Sequence, residues 1–524
     1  MFIKVLLLLV FFAVTIFVGL YFRKRSSSVN DFVLGGRNVG PWLSAFSYGV
    51  TYFSAVVFVG YAGQFGWRFG SAAIWIGLGN AFIGSMAAWF VLGRRTRLMT
   101  HHLKATTMPA FFGTRYMSQA LKIGAALIVF IFLLPYTASL YNGLSRLFEM
   151  AFGIPFVYCI IAMGVLTAIF VVAGGYLATV VNDLIQGTIQ LVGIVAVVLV
   201  AIKSQGGLFA AFNGLSEVSA PGVAAGGFTS IFGPDPVSLI GVLILTSLGT
   251  WGLPQMVARF YSIKSEKMIP KGAIVSTIFA LFVAGGCYFL GSFGRLWADA
   301  PSLVMDAAGN PVLLGNLSPM QFDVIIPTIL SGMGEVMIGV VIVLVFAASI
   351  STLSSLVMAS ASTLTLDFLK GHVIKQLNEK KQLLIIRGLI VAFIIISSSI
   401  AIMQINGVFK GNLSFIADLM GVSWGALAGS FLAPFLYGLY WKRASKISVW
   451  CCFIFSTSVM SLNTFFRSDF PTLLQSPINA GAFCMLAGLL IVPLVSAFTK
   501  APDKAVVESQ FSCYEKAKLP ERIA

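Results

Sequence analysis

Charge is scarce in this chain of 524 residues: Asp, Glu, Lys and Arg together make up 10% of it, against 58% hydrophobic residues. A soluble domain carries about 25% charged residues, so a water-soluble globule is excluded. Acidic residues are the scarcer sign, 18 against 34 Lys and Arg. The resulting +16 does not speak for nucleic acid, because the basic residues sit in short loops between apolar runs, where membrane topology accounts for them. No Gly-x-x-x-x-Gly-Lys-Ser/Thr loop occurs, which speaks against a pump driven directly by ATP through a phosphate-binding loop. The six cysteines lie mostly inside apolar runs without metal-ligand spacing, so they read as small core residues. The apolar stretch Met1 to Phe22 lacks a small-x-small cleavage site and runs straight into Arg23-Lys24-Arg25, as a retained membrane helix would.

What is present is apolar length. Runs able to span a bilayer recur thirteen times, at about 2–22, 41–62, 72–93, 122–150, 154–174, 182–203, 238–260, 271–294, 324–364, 384–403, 413–439, 447–466 and 478–498. The first is the leading helix, the next ten are core helices 1 to 10, and the last two are helices 11 and 12. Alternate loops are basic: Arg23, Lys24, Arg25 and Arg37; Arg94, Arg95, Arg97, Lys104 and Arg115; Lys264 and Lys267; Lys370, Lys375, Lys380 and Lys381; Lys442, Arg443 and Lys446. The opposite set carries only isolated cations such as Arg68, Arg295 and Lys410. The positive-inside rule then predicts an outside N-terminus and an inside C-terminus, and the parity works only with thirteen spans. An all-α polytopic membrane protein follows, divided into 1–40 (leading helix and basic loop), 41–203 (five helices), 204–237 (outer loop), 238–439 (five helices), 440–498 (two trailing helices) and 499–524 (inner tail). The tail is expected to be poorly ordered or to lie on the surface.

Core helix 1 carries Gly49 among hydroxyls, Ser44-Ala45-Phe46-Ser47-Tyr48-Gly49-Val50-Thr51-Tyr52-Phe53-Ser54. Core helix 6 carries Gly249, Gly252 and Pro254, Thr246-Ser247-Leu248-Gly249-Thr250-Trp251-Gly252-Leu253-Pro254. Continuous helix is unfavourable through such a segment. Each opens a block of five helices, and interrupted helices at matching places of two halves point to an inverted-repeat transporter. Unwound backbone at membrane depth is tolerated around a polar cavity. Core helix 8 sets Ala348, Ser351, Thr352 and Ser355 on one face. Such a face serves close helix packing or offers oxygens to something polar, and two adjacent hydroxyls suit a hard monovalent cation such as Na⁺. Charges within spans are functional candidates. Asp183 is placed at the inner start of core helix 5, where it would either cap the helix or draw a cation toward the inside. Asp418, Glu335 and Arg146 are placed nearer the outer side.

These residues make the chain resemble the sodium:solute symporter family over nearly its whole length. The matching words are Leu34-Gly35-Gly36-Arg37, Gly174-Gly175 through Asn182-Asp183 with Gln186-Gly187, Gly252-Leu253-Pro254 with Ala258-Arg259-Phe260, and Ala348 with Ser351-Thr352-Leu353-Ser354. The resemblance implies a leucine-transporter-like fold of five plus five inverted helices. It implies sodium between core helices 1 and 8, held by the carbonyls of Val50, Phe53 and Ala348 and the hydroxyls of Ser351 and Thr352. It places a small organic solute near Tyr52, Ser54, Tyr136, Thr246, Thr250, Trp251 and Trp424. The expectation is a sodium-coupled symporter in a cell membrane, of the bacterial inner-membrane kind, without nucleic acid or an obligatory protein partner.

Within the family, sodium/proline symporters carry an aspartate where this chain has Tyr52, and a Trp and a Tyr where it has Thr246 and Thr250. The Thr51-Tyr52 and Asn182-Asp183 pairs look more like sodium/pantothenate symporters. A carboxylate such as pantothenate is therefore the expected solute, with proline or another amino acid the alternative. A proton-coupled carrier is the further alternative. It needs a titratable carboxylate at the coupling site, and core helix 8 offers hydroxyls and carbonyls there.

Overall fold

The computed structural model describes residues 2–23, 28–306, 308–374, 376–405 and 416–517. Lys24, Arg25, Lys375, Lys410 and the start of core helix 10 lie outside these residues, as does the side chain of Arg146. Among the described residues, 11 helices are long and apolar enough to cross a membrane. Two of the 11 contain corners. Phe156–Ser204 turns at Gly175, whose φ of 60° and ψ of −155° suit glycine alone. Val56–His102 turns at Gly70, with φ 59° and ψ −138°. The first corner separates core helices 4 and 5; the second separates the end of core helix 1 from core helix 2.

Both expected interruptions are present. The first half of core helix 1, Pro41–Tyr52, opens on a proline at a position where a missing N–H costs nothing, and stops at Phe53, which is extended at φ −110° and ψ 128°. Helix resumes in Val56–Tyr61 and continues through Ala62–Phe69. Core helix 6 runs Pro236–Leu248, tightens into a 3₁₀ turn at Gly249–Trp251, and restarts as Pro254–Ser262. Between them Leu253 is extended at φ −86° and ψ 122°, as the residue before a proline prefers.

Two expectations are corrected and a third is narrowed. The apolar run 324–364 is not one helix: Ile325–Ser331 is a separate short helix, and core helix 8 proper is Glu335–Thr363. The glycines at 332 and 334 make the corner, which hydropathy alone does not register. Asp183 is not at a helix start, because core helix 5 already runs from Tyr176, directly after the Gly175 corner. Of the two readings of the tail, the described residues bear out the surface-lying one: Lys504–Lys516 is a helix on the end of the bundle, begun by Asp503 accepting from the Val506 N–H. Its Val507, Phe511 and Tyr514 are buried. Gln510 donates to the Thr114 carbonyl at 2.9 Å, and Arg95 lies over the Tyr514 ring at 4.7 Å.

The tail marks one end of the bundle. The other end carries the antiparallel hairpin of Pro301–Met305 with Pro311–Leu313, and the helix Leu208–Glu217. Here Ile325–Ser331 lies against core helix 1, where a Cβ on Gly63 would sit 3.2 Å from Ile326, and in the 3₁₀ turn before it, Pro319–Val324, the Phe322 ring is 6.1 Å from that of Trp67. Core helix 8 runs through the middle, packed on core helices 5, 3 and 1 and the leading helix.

Candidate functional site

The break in core helix 1 exposes main-chain oxygens. The last carbonyls of a helix have no partner within it, and those of Val50 and Thr51 turn toward core helix 8. Ser351 Oγ lies 3.4 Å from the Val50 oxygen and 3.0 Å from the Ala348 oxygen. Thr352 Oγ1 lies 3.4 Å from the Thr51 oxygen and 3.1 Å from the same Ala348 oxygen. Ser351 and Thr352 are buried. Oxygens each about 2.4 Å from a shared hard cation, at right angles, stand about 3.4 Å apart. Four of the five residues expected at a cation are thus gathered: Val50, Ala348, Ser351 and Thr352. Phe53 is buried at the break, and the Thr51 carbonyl, absent from the expected set, makes a fifth contact.

One turn further along core helix 8 stands an arginine that sequence reasoning left without a role. Arg259, from the second half of core helix 6, is 2% exposed. Its Nη2 donates to Thr51 Oγ1 at 2.8 Å and to Ser355 Oγ, and lies 3.4 Å from Asp183 Oδ2. The Ser47 hydroxyl also donates to that carboxylate. Asp183 and Arg259 therefore form a fully buried ion pair linking core helices 5 and 6, with core helices 1 and 8 bonded to it. The signal was available: an arginine inside an apolar span demands a partner. Toward the tail end, a cavity lined by Tyr176, Thr179, Gln255, Arg259, Ser355 and Met358 adjoins the pair.

A second cluster lies on the other side of the break. Tyr52 stacks on Trp424 with ring centroids 6.3 Å apart, and Tyr136 meets Trp424 edge-on at 5.9 Å. The Tyr52 hydroxyl donates to the Thr246 carbonyl, tying the two interruptions together. Tyr136 OH lies beside Ser54 Oγ and Trp424 Nε1, all three buried, and among the described residues none of them makes a well-formed hydrogen bond. Buried polar groups are nearly always well partnered, so these three can turn from one another to a ligand that brings its own donors and acceptors.

Thr250 and Trp251 are used differently. Core helix 2 contains the π-helical stretches Asn80–Ala87 and Trp89–Gly93, whose widened turns release carbonyls. Gly84 O accepts from Tyr48 OH at 2.7 Å and Thr250 Oγ1 at 3.0 Å, and Ile83 O accepts from Trp251 Nε1 at 3.1 Å. These residues anchor the second interruption to core helix 2. Ser247 joins the anchor by donating to Asn80 at 3.2 Å.

The charged candidates near the hairpin end do not enter either cluster as free charges. Asp418 is paired with Arg467 at 2.7 Å. Glu335 is exposed in the first turn of core helix 8.

The chain is similar to known proteins over most of its length. The family model described as sodium:solute symporter family matches residues 32–449. A protein of Staphylococcus aureus (strain JH9) named sodium/proline symporter is 29% identical over 455 residues, covering 84% of this chain and 83% of its own length. A solved sodium-coupled sialic acid symporter superimposes with a TM-score of 0.75 at 18% identity, over 96% of this chain and 99% of that one.

Proposed function

The chain belongs to the sodium:solute symporter family, and on that premise we propose that the sodium which couples its transport is held between core helices 1 and 8. It is a membrane transporter, and sodium-coupled solute symport is its activity. The observation that carries the site is the meeting of the open end of core helix 1 with the Ala348 carbonyl and the Ser351 and Thr352 hydroxyls. Val50, Ala348, Ser351 and Thr352 supply ligands, with the Phe53 carbonyl completing the set from the break. An all-oxygen site without a carboxylate suits a dehydrated monovalent cation better than a proton.

Dividing the apolar helices at Gly175 and Gly70 supports thirteen spans, with core helices 1–5 and 6–10 as the two repeats. The basic loops and the tail helix then mark the inside, and the hairpin the outside. Asp183 and Arg259 stand between the cation site and the inside, on the ion's way out.

The solute occupies the second cluster, against Tyr52, Ser54, Tyr136 and Trp424, with Thr246, Thr250 and Trp251 holding core helix 6 in place. No charged side chain faces this cluster from either break, and Asp418 is neutralised by Arg467. Such a site takes a small solute bearing a carboxylate or hydroxyls, with pantothenate as its type. Proline is the second reading, favoured by the names of the relatives. One charge moving inward down ~100 mV releases about 2.3 kcal/mol. A tenfold sodium gradient adds about 1.4 kcal/mol, together enough to accumulate a neutral solute a few hundred-fold. An anion with one sodium keeps only about tenfold, so a carboxylate favours more than one sodium per cycle.

The test is uptake of pantothenate, proline and choline into proteoliposomes with and without a sodium gradient. Sodium-driven pantothenate uptake resisting excess choline is expected. Driven choline uptake would overturn the carboxylate reading, and driven proline uptake unaffected by pantothenate would replace it with the second.

A further inference from the structure

Two glutamines on core helix 5 have no use in the site described so far. Gln186 is 1% exposed and Gln190 is 0% exposed. In both, the amide oxygen and the amide nitrogen lack any hydrogen-bond partner among the described residues. The Asp183 Oδ1 atom, on the same helix face, is also without one. A buried primary amide that bonds to nothing is costly in a low-dielectric interior, and two adjacent ones are not retained for packing when Leu or Met would serve.

Their position follows from the glycines beside them. A Cβ on Gly187 would lie 2.6 Å from Val50 of core helix 1, and a Cβ on Gly193 would lie 2.6 Å from Leu344 of core helix 8. Around a helix, residues 186 and 190 fall between these two directions. They therefore face the seam between core helices 1 and 8. Along the helix, Gly193 is level with Leu344, and Asp183 is level with Ser355 through Arg259. Core helices 5 and 8 run antiparallel, so Gln186 is level with Ser351 and Gln190 with Ala348.

We infer that Gln186 and Gln190 form a hydration site beside the cation site, at which the departing sodium exchanges protein oxygens for water. The inference rests on the cation site proposed above. Water is the ligand that matches four neutral, unpaired donors and acceptors. A cation leaving Ser351 and Thr352 must regain its water shell, and bare hydrocarbon beside it would make that step slow. Two amides supply carbonyl oxygens that accept from the outward-pointing O–H groups of the ion's waters, and N–H groups that hold further waters in place, without adding a charge that would trap it. Because they are not ligands of the bound ion, they set the speed of entry and exit and leave affinity nearly alone.

The experiment uses the purified full-length protein in lipid nanodiscs and radioactive sodium as the probe, read as equilibrium binding and as release on dilution. Gln186→Met/Gln190→Met keeps side-chain volume and removes the amides. The expected result is release slowed about tenfold with affinity within about threefold. Unchanged release would overturn the proposal in favour of packing, and affinity lost in step with faster release would make the glutamines ligands instead. If the double variant fails to fold, Gln186→Met and Gln190→Met singly are each expected to slow release about threefold, and unchanged release in both would overturn the proposal. Loss of the underlying site is separately visible, because Ser351→Ala/Thr352→Ala would then bind sodium like the parent.

Discussion

Two polar clusters meet at the break in core helix 1, and they differ in how far each satisfies itself. Toward core helix 8, the hydroxyls of Thr51, Ser351, Thr352 and Ser355 all bond to carbonyls, to one another or to Arg259. Toward core helices 3 and 10, the polar atoms of Ser54, Tyr136 and Trp424 lie beside one another without a well-formed hydrogen bond among the described residues. A monovalent cation brings neither donors nor acceptors, so its site has to be a tight ring of oxygens that can also bond internally. An organic solute brings both, so its site has to leave some unpaired. The same stretch serves the two needs because the Val50 and Thr51 carbonyls face one way and the Tyr52 and Ser54 side chains the other.

The largest expected effect tests whether the Asp183–Arg259 pair belongs to the first cluster. Removing one member of a buried ion pair costs about 3–5 kcal/mol, because the other charge stays buried alone. Arg259→Gln should lower thermal stability in detergent by that order. Asp183→Asn/Arg259→Gln should recover most of it while leaving sodium-driven uptake impaired. If the double variant transported normally, the pair would be scaffolding only, and the cation cluster would end at Thr352.

Next comes the ring itself. Ser351→Ala/Thr352→Ala removes two oxygens and keeps the carbonyls. At about 1.4 kcal/mol per tenfold, a loss of one to two such units raises the sodium concentration for half-maximal uptake by about ten- to a hundredfold. Solute affinity at saturating sodium should stay within about threefold. Unchanged sodium dependence would return the hydroxyl face to helix packing. The complementary change, Tyr136→Phe with Trp424→Phe, should weaken solute binding by about three- to tenfold, since each loses a donor that the solute would pair. The sodium dependence should not move. A shift of both in either variant would erase the distinction between the clusters.

How much of this was legible beforehand depends on the kind of signal. The first interruption falls at Phe53, beyond Gly49, which is itself helical and packs closely on Phe279, whereas the second could be read from Gly249, Gly252 and Pro254, because the helix-breaking chemistry there is local. The hydroxyl face of core helix 8 was legible for the same reason, since helical spacing alone groups Ala348 with Ser351 and Thr352. The corner at residues 332–334 was not, since apolar residues on both sides carried the hydropathy average across it. The environment of Asp183 was misjudged because Gly175 starts core helix 5 earlier than the apolar run does. Arg259 lay in a recognised motif, but its partners come from core helices 1, 5 and 8, and no spacing along the chain encodes that meeting. Gln186 and Gln190 escaped notice because a buried amide is conspicuous only when its partners can be counted.

The smallest expected effect concerns Asp418, the acid that could have given the solute cluster a charge. It sits in the first turn of the described part of core helix 10, on the same helix as Trp424 but toward the hairpin end. Its carboxylate is 4% exposed and meets Arg467 at 2.7 Å, so its charge is already answered by a neighbour. A cationic solute attracted to it would first have to displace that guanidinium. Asp418→Asn keeps the shape and a hydrogen-bond acceptor for Arg467, whose side chain is 19% exposed and can turn toward water. Stability should therefore fall by only about 1–2 kcal/mol, well short of the loss on breaking the fully buried pair. Solute affinity and sodium dependence should each stay within about twofold in proteoliposome uptake, a few tenths of a kcal/mol. A change of tenfold or more in solute affinity would place a charge inside the second cluster. The division between a ring of oxygens for the ion and an uncharged pocket for the solute would then have to be redrawn.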